Sequence, residues 1–366
     1  MRFRMPEISV LLPIYNAGPF LRPAIESILG QRSRDFELVL IDDGSTDGSA
    51  DVAAACRDDR IRVVRHETNR GLAATLNEGL QLARGPLVAR QDQDDLSHLD
   101  RLARQAEVFG REPSLALLGT RGHVIDEQDR HVGDVDRPLE PASVRWYSIV
   151  DNPFIHTSVM FRRDVVRDLG GYCERYAHSE DFELWSRVVR LHGAWNLPDR
   201  LISYRLRKES MTDRIDRPSD GGRRRAEFHR IIKEVVAENV RALRTSDLDP
   251  ADAELLACYI LGIDRRALDP FLDVFMRLLA SYEMQDPAGT RTADFRWTLA
   301  RQIDAIAYRV QPPSRMAAVR IFGRMLARRP RLITSLATAR SLALVTVGHA
   351  ARRRAGGLKA ARSTVR

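Results

Sequence analysis

Through its first 120 residues the chain alternates short continuous apolar runs with stretches whose apolar residues recur every three or four positions. Ile8 to Ile14, Glu37 to Ile41, Ile61 to Arg65 and Leu87 to Ala89 are too short for helices and read as strands. Between them, Phe20 to Leu29 reads as a helix and a second helix opens near Thr46-Asp47-Gly48. Leu72 to Ala83 sets Leu72, Leu76, Leu80 and Ala83 on one helical face, and a further helix covers Asp100 to Phe109. This alternation with short connections predicts an α/β, Rossmann-like, mostly parallel sheet covered on both sides. Ligands of such sheets bind outside the carboxyl ends of the strands. Asp42 and Asp43 end the second strand and Asp92 to Asp95 follow the fourth, so both acid clusters are expected on one rim.

From about Leu115 to Tyr204 the pattern turns irregular. Strand-like runs at Leu115 to Gly119 and Ser158 to Phe161 surround a helix near Phe182 to Leu191. After Arg217 the pattern is helical: Arg225 to Arg244, Pro250 to Ile260, Asp269 to Tyr282 and Asp294 to Tyr308. Asp249-Pro250 and Asp269-Pro270 put Asp at the N-cap and Pro at the first helical position. RPSDGGRRR at 217–225 reads as a linker. These patterns divide the chain into a first domain over 1–216, a helical extension over 217–308 and a basic helical tail over 309–366.

With 366 residues, 44% of them hydrophobic, the chain can bury a large core. Cys56, Cys173 and Cys258 fit no metal spacing and read as small apolar residues of a reducing compartment. The first residues, MRFRMPEISVLLPIYN, lack the long apolar core and cleavage site of a signal peptide, so a cytoplasmic location is expected. Charge is uneven. Arg309 to Arg366 holds thirteen Arg and one Lys with no Asp or Glu, so the rest carries −6 against +8 for the whole. An acidic body with a basic tail suggests an anionic partner surface, membrane or nucleic acid. Leu332 to Ala350 contains Arg340 and His349 and is not read as a span. It reads either as a helix in the membrane interface or as an amphipathic helix packed on the body.

The stretch LVARQDQDDL, Leu87 to Leu96, carries the chemistry. Asp92, Asp94 and Asp95 end an apolar run, and clustered acids cannot be buried without partners. A solvated acidic turn is one reading. The other is a divalent cation, Mg²⁺ or Mn²⁺, held by one or two carboxylates and a substrate's phosphates.

ISVLLPIYN, ELVLIDDGSTDGS, NRGLAATLNEGLQLARG, LVARQDQDD and GGY followed by SEDFELW, in this order, resemble family 2 of the nucleotide-sugar glycosyltransferases. The resemblance covers roughly 7 to 212 and implies a catalytic domain of the GT-A fold followed by the helical C-terminal extension. It implies that Asp43 binds the base, in a pocket lined by Pro13 and Tyr15, that Asp92 contacts the ribose and that Asp94, with Asp92, serves the metal. Asp95 would hold a metal-bound water or cap a helix beginning near Ser97. Arg70 and Arg90 fall on the phosphate side, as phosphate contacts or as partners of the acids. Asp42 reads as a turn or capping residue. Asp181 matches the catalytic base, at a helix N-terminus where the macrodipole favours the anion, and Glu180 an acceptor contact. His156 is either an acceptor contact or a core histidine. In the closing motif Tyr204-Arg205-Leu206-Arg207, Arg207 stands where the family has a histidine. Arginine cannot ligate a cation but binds phosphate bidentately, so Arg207 is expected on the leaving diphosphate.

No GxGxxG or GxxxxGK[ST] follows a predicted strand, which disfavours a dehydrogenase or phosphate-loop enzyme. A processive synthase would need QxxRW and membrane spans, and neither is found. The expectation is an inverting, metal-dependent, non-processive enzyme moving one sugar from a UDP- or dTDP-sugar to a lipid-linked or glycan acceptor. It would act peripherally at the cytoplasmic membrane face, in surface polysaccharide or glycolipid assembly. The alternative is a nucleotide-sugar-binding or scaffolding protein without turnover. Nucleic acid is disfavoured as a partner, since only Phe322 lies among the tail's arginines.

Overall fold

The computed structural model describes residues 5–207, 223–243, 248–264 and 267–311. The chain divides into two compact units, Met1–Leu139 with Asn152–Ser219, and Glu140–Asp151 with Asp220–Arg366.

The first unit opens with β1 (Ile8–Ile14), α1 (Leu21–Leu29), β2 (Phe36–Asp42), α2 (Ser49–Ala55), β3 (Ile61–Arg65), α3 (Leu72–Leu82) and β4 (Leu87–Arg90). These strands are parallel, in the order β3-β2-β1-β4. Every residue of β1, β2 and β4 is buried, as their uninterrupted apolar runs require of strands covered on both faces. Glu37, inside β2, is buried with partners: it accepts from Ser9 Oγ at 2.6 Å and from the Arg84 backbone N–H at 2.7 Å.

The sheet then changes character. β5 (Leu96–Ser97), α4 (Arg101–Arg111), β6 (Leu115–Ile125) and β7 (His131–Val135) precede α5 (Pro141–Tyr147), which belongs to the second unit. β8 (Met160–Arg162), α6 (Arg163–Asp168), α7 (Glu180–Leu191) and β9 (Gly193–Arg205) complete the first unit. The nine strands run β3-β2-β1-β4-β8-β6-β9-β5, with β7 on β6. β8 is antiparallel to β4 and β6, whereas β6 and β9 are parallel. The expected helix near Ser97 is corrected: Leu96–Ser97 pairs with β9, and the helix starts at Arg101.

The second unit joins α5 to α8 (Arg223–Ala242), α9 (Pro250–Leu261), α10 (Leu268–Gln285) and α11 (Ala293–Arg309). A parallel pair, β10 (Ile263–Asp264) with β11 (Val310–Gln311), interrupts the expected all-helical pattern. Trp146 of α5 is fully buried, edge-on to Phe275 at 5.6 Å, with its Nε1–H donating to Gln302 Oε1 at 2.5 Å. Asp249 caps α9 in a reciprocal box with Asp252, as its Asp-Pro pair predicts. The second Asp-Pro pair is corrected. Ala267 is the N-cap of α10, so Asp269 and Pro270 fall inside its first turn, where an amide N–H has no helical partner to lose. Among the described residues no helix is long and apolar enough to cross a membrane. The linker at 217–225 up to Gly222, most of the basic tail and all of Leu332 to Ala350 lie outside the described residues.

Candidate active site

The carboxyl ends of β1 and β2 are stitched together by the polar loop that follows each. Backbone N–H groups of Asn16, Ala17 and Gly18 donate to Ser45 Oγ, Ser49 Oγ and Asp47 Oδ2 at 3.0, 3.0 and 2.9 Å. Asp42 takes the expected turn role, its Oδ1 accepting from the Ser45 N–H at 3.1 Å. Gly44 has φ +75°, and a Cβ there would lie 2.8 Å from the Thr68 carbonyl carbon. This close approach brings Asp43 against the segment 66–71. Asp43 Oδ1 sits 2.7 Å from His66 Nδ1 and accepts from the Arg70 N–H at 2.8 Å, and Oδ2 accepts from the Gly71 N–H at 2.9 Å. Three of the carboxylate's roughly four lone-pair sites are therefore occupied. His66 also reaches Glu78 Oε2 at 3.0 Å, and the Arg70 guanidinium pairs with Glu78 at 2.6 Å. Beyond Asp43 lies an open hollow of about 440 Å³ lined by Gly44, Ser45, Thr46, Arg65, His66 and Glu67. Pro13 is buried in β1 and Tyr15 is exposed just past it.

The loop after β4 holds the other acids. Gln93 clasps the Tyr15 backbone, accepting from its N–H at 2.7 Å and donating to its carbonyl at 3.1 Å, so this loop is tied to the end of β1. Arg90 is buried and paired with Asp92, which makes it a partner of the acids. Arg101 lies beneath, fully buried, donating to Gln91 Oε1, Ser97 Oγ and the Arg90 carbonyl at 3.0, 2.9 and 2.7 Å. Burial, and then Arg90, depress its pKa to about 9. Asp95 caps no helix: its Oδ1 accepts from the Arg205 backbone N–H at 2.7 Å. The Arg205 Nε–H donates to the Asp94 carbonyl at 2.7 Å, and Arg207 Nη1 lies 3.2 Å from Asp94 Oδ2. Both guanidinium groups stack over Phe20, at 5.0 and 4.8 Å.

These acids have the chemistry a divalent ion needs. Burial, and then Asp92, push the Asp94 carboxyl above the usual range. Burial, Asp94 and Asp92 push Asp95 well above it. Asp95 Oδ2 is buried without a hydrogen-bond partner. Such a surplus of hard oxygen charge fits one Mg²⁺ or Mn²⁺ on Asp94 and Asp92, with Arg207 already bonded to one Asp94 oxygen.

A third group sits where α7 begins. Gly170 and Gly171, with φ +88° and +71°, turn the chain into Tyr172. Asn77 of α3 clamps that residue, accepting from its N–H and donating to its carbonyl, both at 2.8 Å. The Tyr172 hydroxyl lies 3.2 Å from His156 Nε2, and His156 Nδ1 is 4.0 Å from Asp181 Oδ2. Burial, and then Arg90, hold the His156 pKa well below the usual value. Asn152 Nδ2 donates to Asp181 Oδ2 at 2.8 Å and the Phe182 N–H to Oδ1 at 2.7 Å. Asp181 is 24% exposed at its side chain, whereas Glu180 is only 4% exposed. The expected anion-favouring effect of the helix N-terminus is outweighed. Burial raises the Asp181 carboxyl, and burial with the Asp181 charge lifts Glu180 to about 7. Asp92 and Arg90 both act electrostatically on Asp181, which joins this group to the acids after β4. Phe20, Gln93, Asn77, His66 and Asn152 were not legible as site residues, because their roles are contacts across the fold.

The mostly parallel sheet with flanking helices is that of the GT-A fold, and acids gather at the carboxyl ends of its strands. Residues 9–170 match the family model described as Glycosyl transferase family 2. The chain is 37% identical over 215 residues to the putative glycosyltransferase EpsE of Bacillus subtilis (strain 168), an alignment covering 56% of this chain and 74% of that protein. It is 31% identical over 212 residues to the amylovoran biosynthesis glycosyltransferase AmsE of Erwinia amylovora, covering 56% and 79%. Among solved structures, S. aureus TarS 1–349 in complex with UDP-GlcNAc is similar in fold, with a TM-score of 0.52 at 16% identity, covering 95% of this chain and 92% of that one. The chain belongs to glycosyltransferase family 2.

Proposed function

We propose that the protein moves a single sugar, with inversion, from a UDP- or dTDP-sugar to the hydroxyl of a membrane-associated acceptor. The observation that carries this reading is Asp181: a partly exposed carboxylate held by hydrogen bonds from Asn152 and the Phe182 N–H, with His156 beside it. Asp181 takes the acceptor's proton as its oxygen attacks the anomeric carbon and the nucleoside diphosphate leaves from the opposite face. The lone pair left on Asp43 Oδ2 suits one N–H donor, as uracil and thymine each offer. Pro13 and Tyr15 flank the base, Arg70 lies on the phosphate side, and Asp92 takes the ribose. Asp94, with Asp92, holds Mg²⁺ or Mn²⁺, which when bound neutralises charge on the departing diphosphate. Arg207 turns from Asp94 to that diphosphate, while Glu180 and His156 shape the acceptor side.

The membrane part of the reading rests on the run of basic residues from Arg309. The pathway part rests on relatives, among them AmsE, described as acting in amylovoran biosynthesis. The test is a thermal-shift screen of nucleotide-sugars with Mn²⁺, then assay of nucleoside diphosphate release and the anomeric configuration of the product. A retained configuration would sink the inverting reading. A donor that binds without release on any acceptor, and without hydrolysis, would favour the non-catalytic alternative, for which the Asp94–Arg207 pair is the specific motive. Binding to anionic vesicles, abolished by truncation after Tyr308, tests the membrane reading; binding to nucleic acid instead would reverse it.

A further inference from the structure

A second cluster of ligand-type side chains lies away from the acids described above, on the β6–β7 hairpin. His123 of β6 and Asp134 of β7 are direct cross-strand partners. His123 Nδ1 is 2.8 Å and His131 Nε2 3.0 Å from the same oxygen, Asp134 Oδ1. The three ligand atoms lie within 4.8 Å of one another, the one such set of three among the described residues. On a regular strand, residues three apart point to opposite faces, so His131 and Asp134 would not meet. The register shift between Val124 and Ile125 sets an extra β7 residue into the ladder and brings His131 to the face of Asp134. The two rings approach edge to face, 5.2 Å apart at 82°, and so reach the oxygen from different sides. His98, just past β5, backs the His123 ring at 5.6 Å.

Two imidazole nitrogens and one carboxylate oxygen suit zinc-like ions, where the all-oxygen acids after β4 suit Mg²⁺ or Mn²⁺. Arg200 Nε approaches Asp134 Oδ1 at 3.4 Å, but that guanidinium bonds more closely to Asp136, at 2.6 Å. We propose that His123, His131 and Asp134 form a separate Zn²⁺ site that clips the β6–β7 hairpin. The clip has a mechanical consequence. Arg205, which holds the Asp94 carbonyl and Asp95, also donates to the Asp126 carbonyl at 2.9 Å and pairs with Asp129 at 2.5 Å, both in the turn of this hairpin.

The test titrates the chelator-stripped full chain with Zn²⁺ against a zinc-indicator dye, alongside His131→Gln, Asp134→Asn and a His192→Gln control. One Zn²⁺ per chain is expected, weakened at least about tenfold by each ligand change and unmoved in the control. X-ray absorption of the zinc-loaded protein should show two imidazole ligands. Zn²⁺ should raise the melting temperature of the wild type and not that of His131→Gln. An unliganded melt matching stripped wild type certifies that the variant is folded. Equal zinc affinity in wild type and variants, or no uptake by the wild type, overturns the proposal.

Discussion

Arg207 Nη1 lies 3.2 Å from Asp94 Oδ2, so a guanidinium already neutralises the acid proposed to hold the metal. A cation arriving at Asp94 therefore competes with an internal one, and Phe20 beneath offers Arg207 a platform for either position. Arg207→Ala should lower the Mn²⁺ concentration for half-maximal activity several-fold, because the competitor is gone. The same variant should raise donor KM about tenfold or more, the worth of one charge-assisted hydrogen bond. Arg207→His should keep the lowered Mn²⁺ requirement and recover part of the donor affinity, since a histidine can still donate one hydrogen bond. If Arg207→Ala leaves metal dependence and donor affinity unchanged, the residue has neither role.

Asp181 and Asn152 make a separable pair. Asp181→Asn should reduce kcat by about 10²–10⁴-fold with donor affinity intact, since only the proton acceptor is lost. Asn152→Ala removes a hydrogen bond that favours the carboxylate, so the Asp181 pKa should rise and the acid limb of the kcat/KM profile should move to higher pH. A lower rate with an unmoved limb would assign Asn152 a purely structural part.

Glu180 predicts a pH-dependent stability with an unusual sign. Its folded pKa of about 7 lies above the ordinary 4.5, so folding favours the protonated form. The stability this contributes is fully present below about pH 4.5 and is lost as pH rises through 7. Glu180→Gln removes that ionisation. Thermal melts should show it more stable than wild type at pH 8 by about 1–3 kcal/mol, with little difference at pH 4.5. Equal offsets at both pH values would refute this.

Much of the first half of the fold was legible because its signals are local. Ile8–Ile14 and Ile61–Arg65 appear as strands with the limits their apolar runs predict, and the acids fall on the rim that strand order implies. The second half was not. β9 carries Pro198, Asp199 and Arg200 in mid-strand, a polar interruption accommodated by register shifts against β6. β7 is exposed at three of five positions, so no apolar run marks it. α5 is only seven residues long, and Trp146 acquires its place from α10 and α11, distant in sequence. The site divides in the same way. The acid clusters stood out at strand ends, and the resemblance singled out Asp43, Asp94 and Asp181 among them and at the start of α7, whereas their hydrogen-bond partners meet them through contacts no local window contains.

His66 is the sharpest case of such an aiming residue. It is buried between Asp43 and Glu78, at 2.7 and 3.0 Å, with Arg70 Nη1 3.4 Å from its Nε2. Replacing it with Ala takes one donor from Asp43 and leaves the carboxylate held only by the Arg70 and Gly71 amides. Leaving buried polar atoms without a partner costs about 1–3 kcal/mol of stability. If Asp43 reads the base, the freed carboxylate should also weaken donor binding about tenfold, measured by calorimetry with UDP- and dTDP-sugars. His66→Gln, which can still donate one hydrogen bond, should recover much of both losses. A stability loss with unchanged donor affinity would show that Asp43 serves the fold of the 66–71 segment and not the nucleotide.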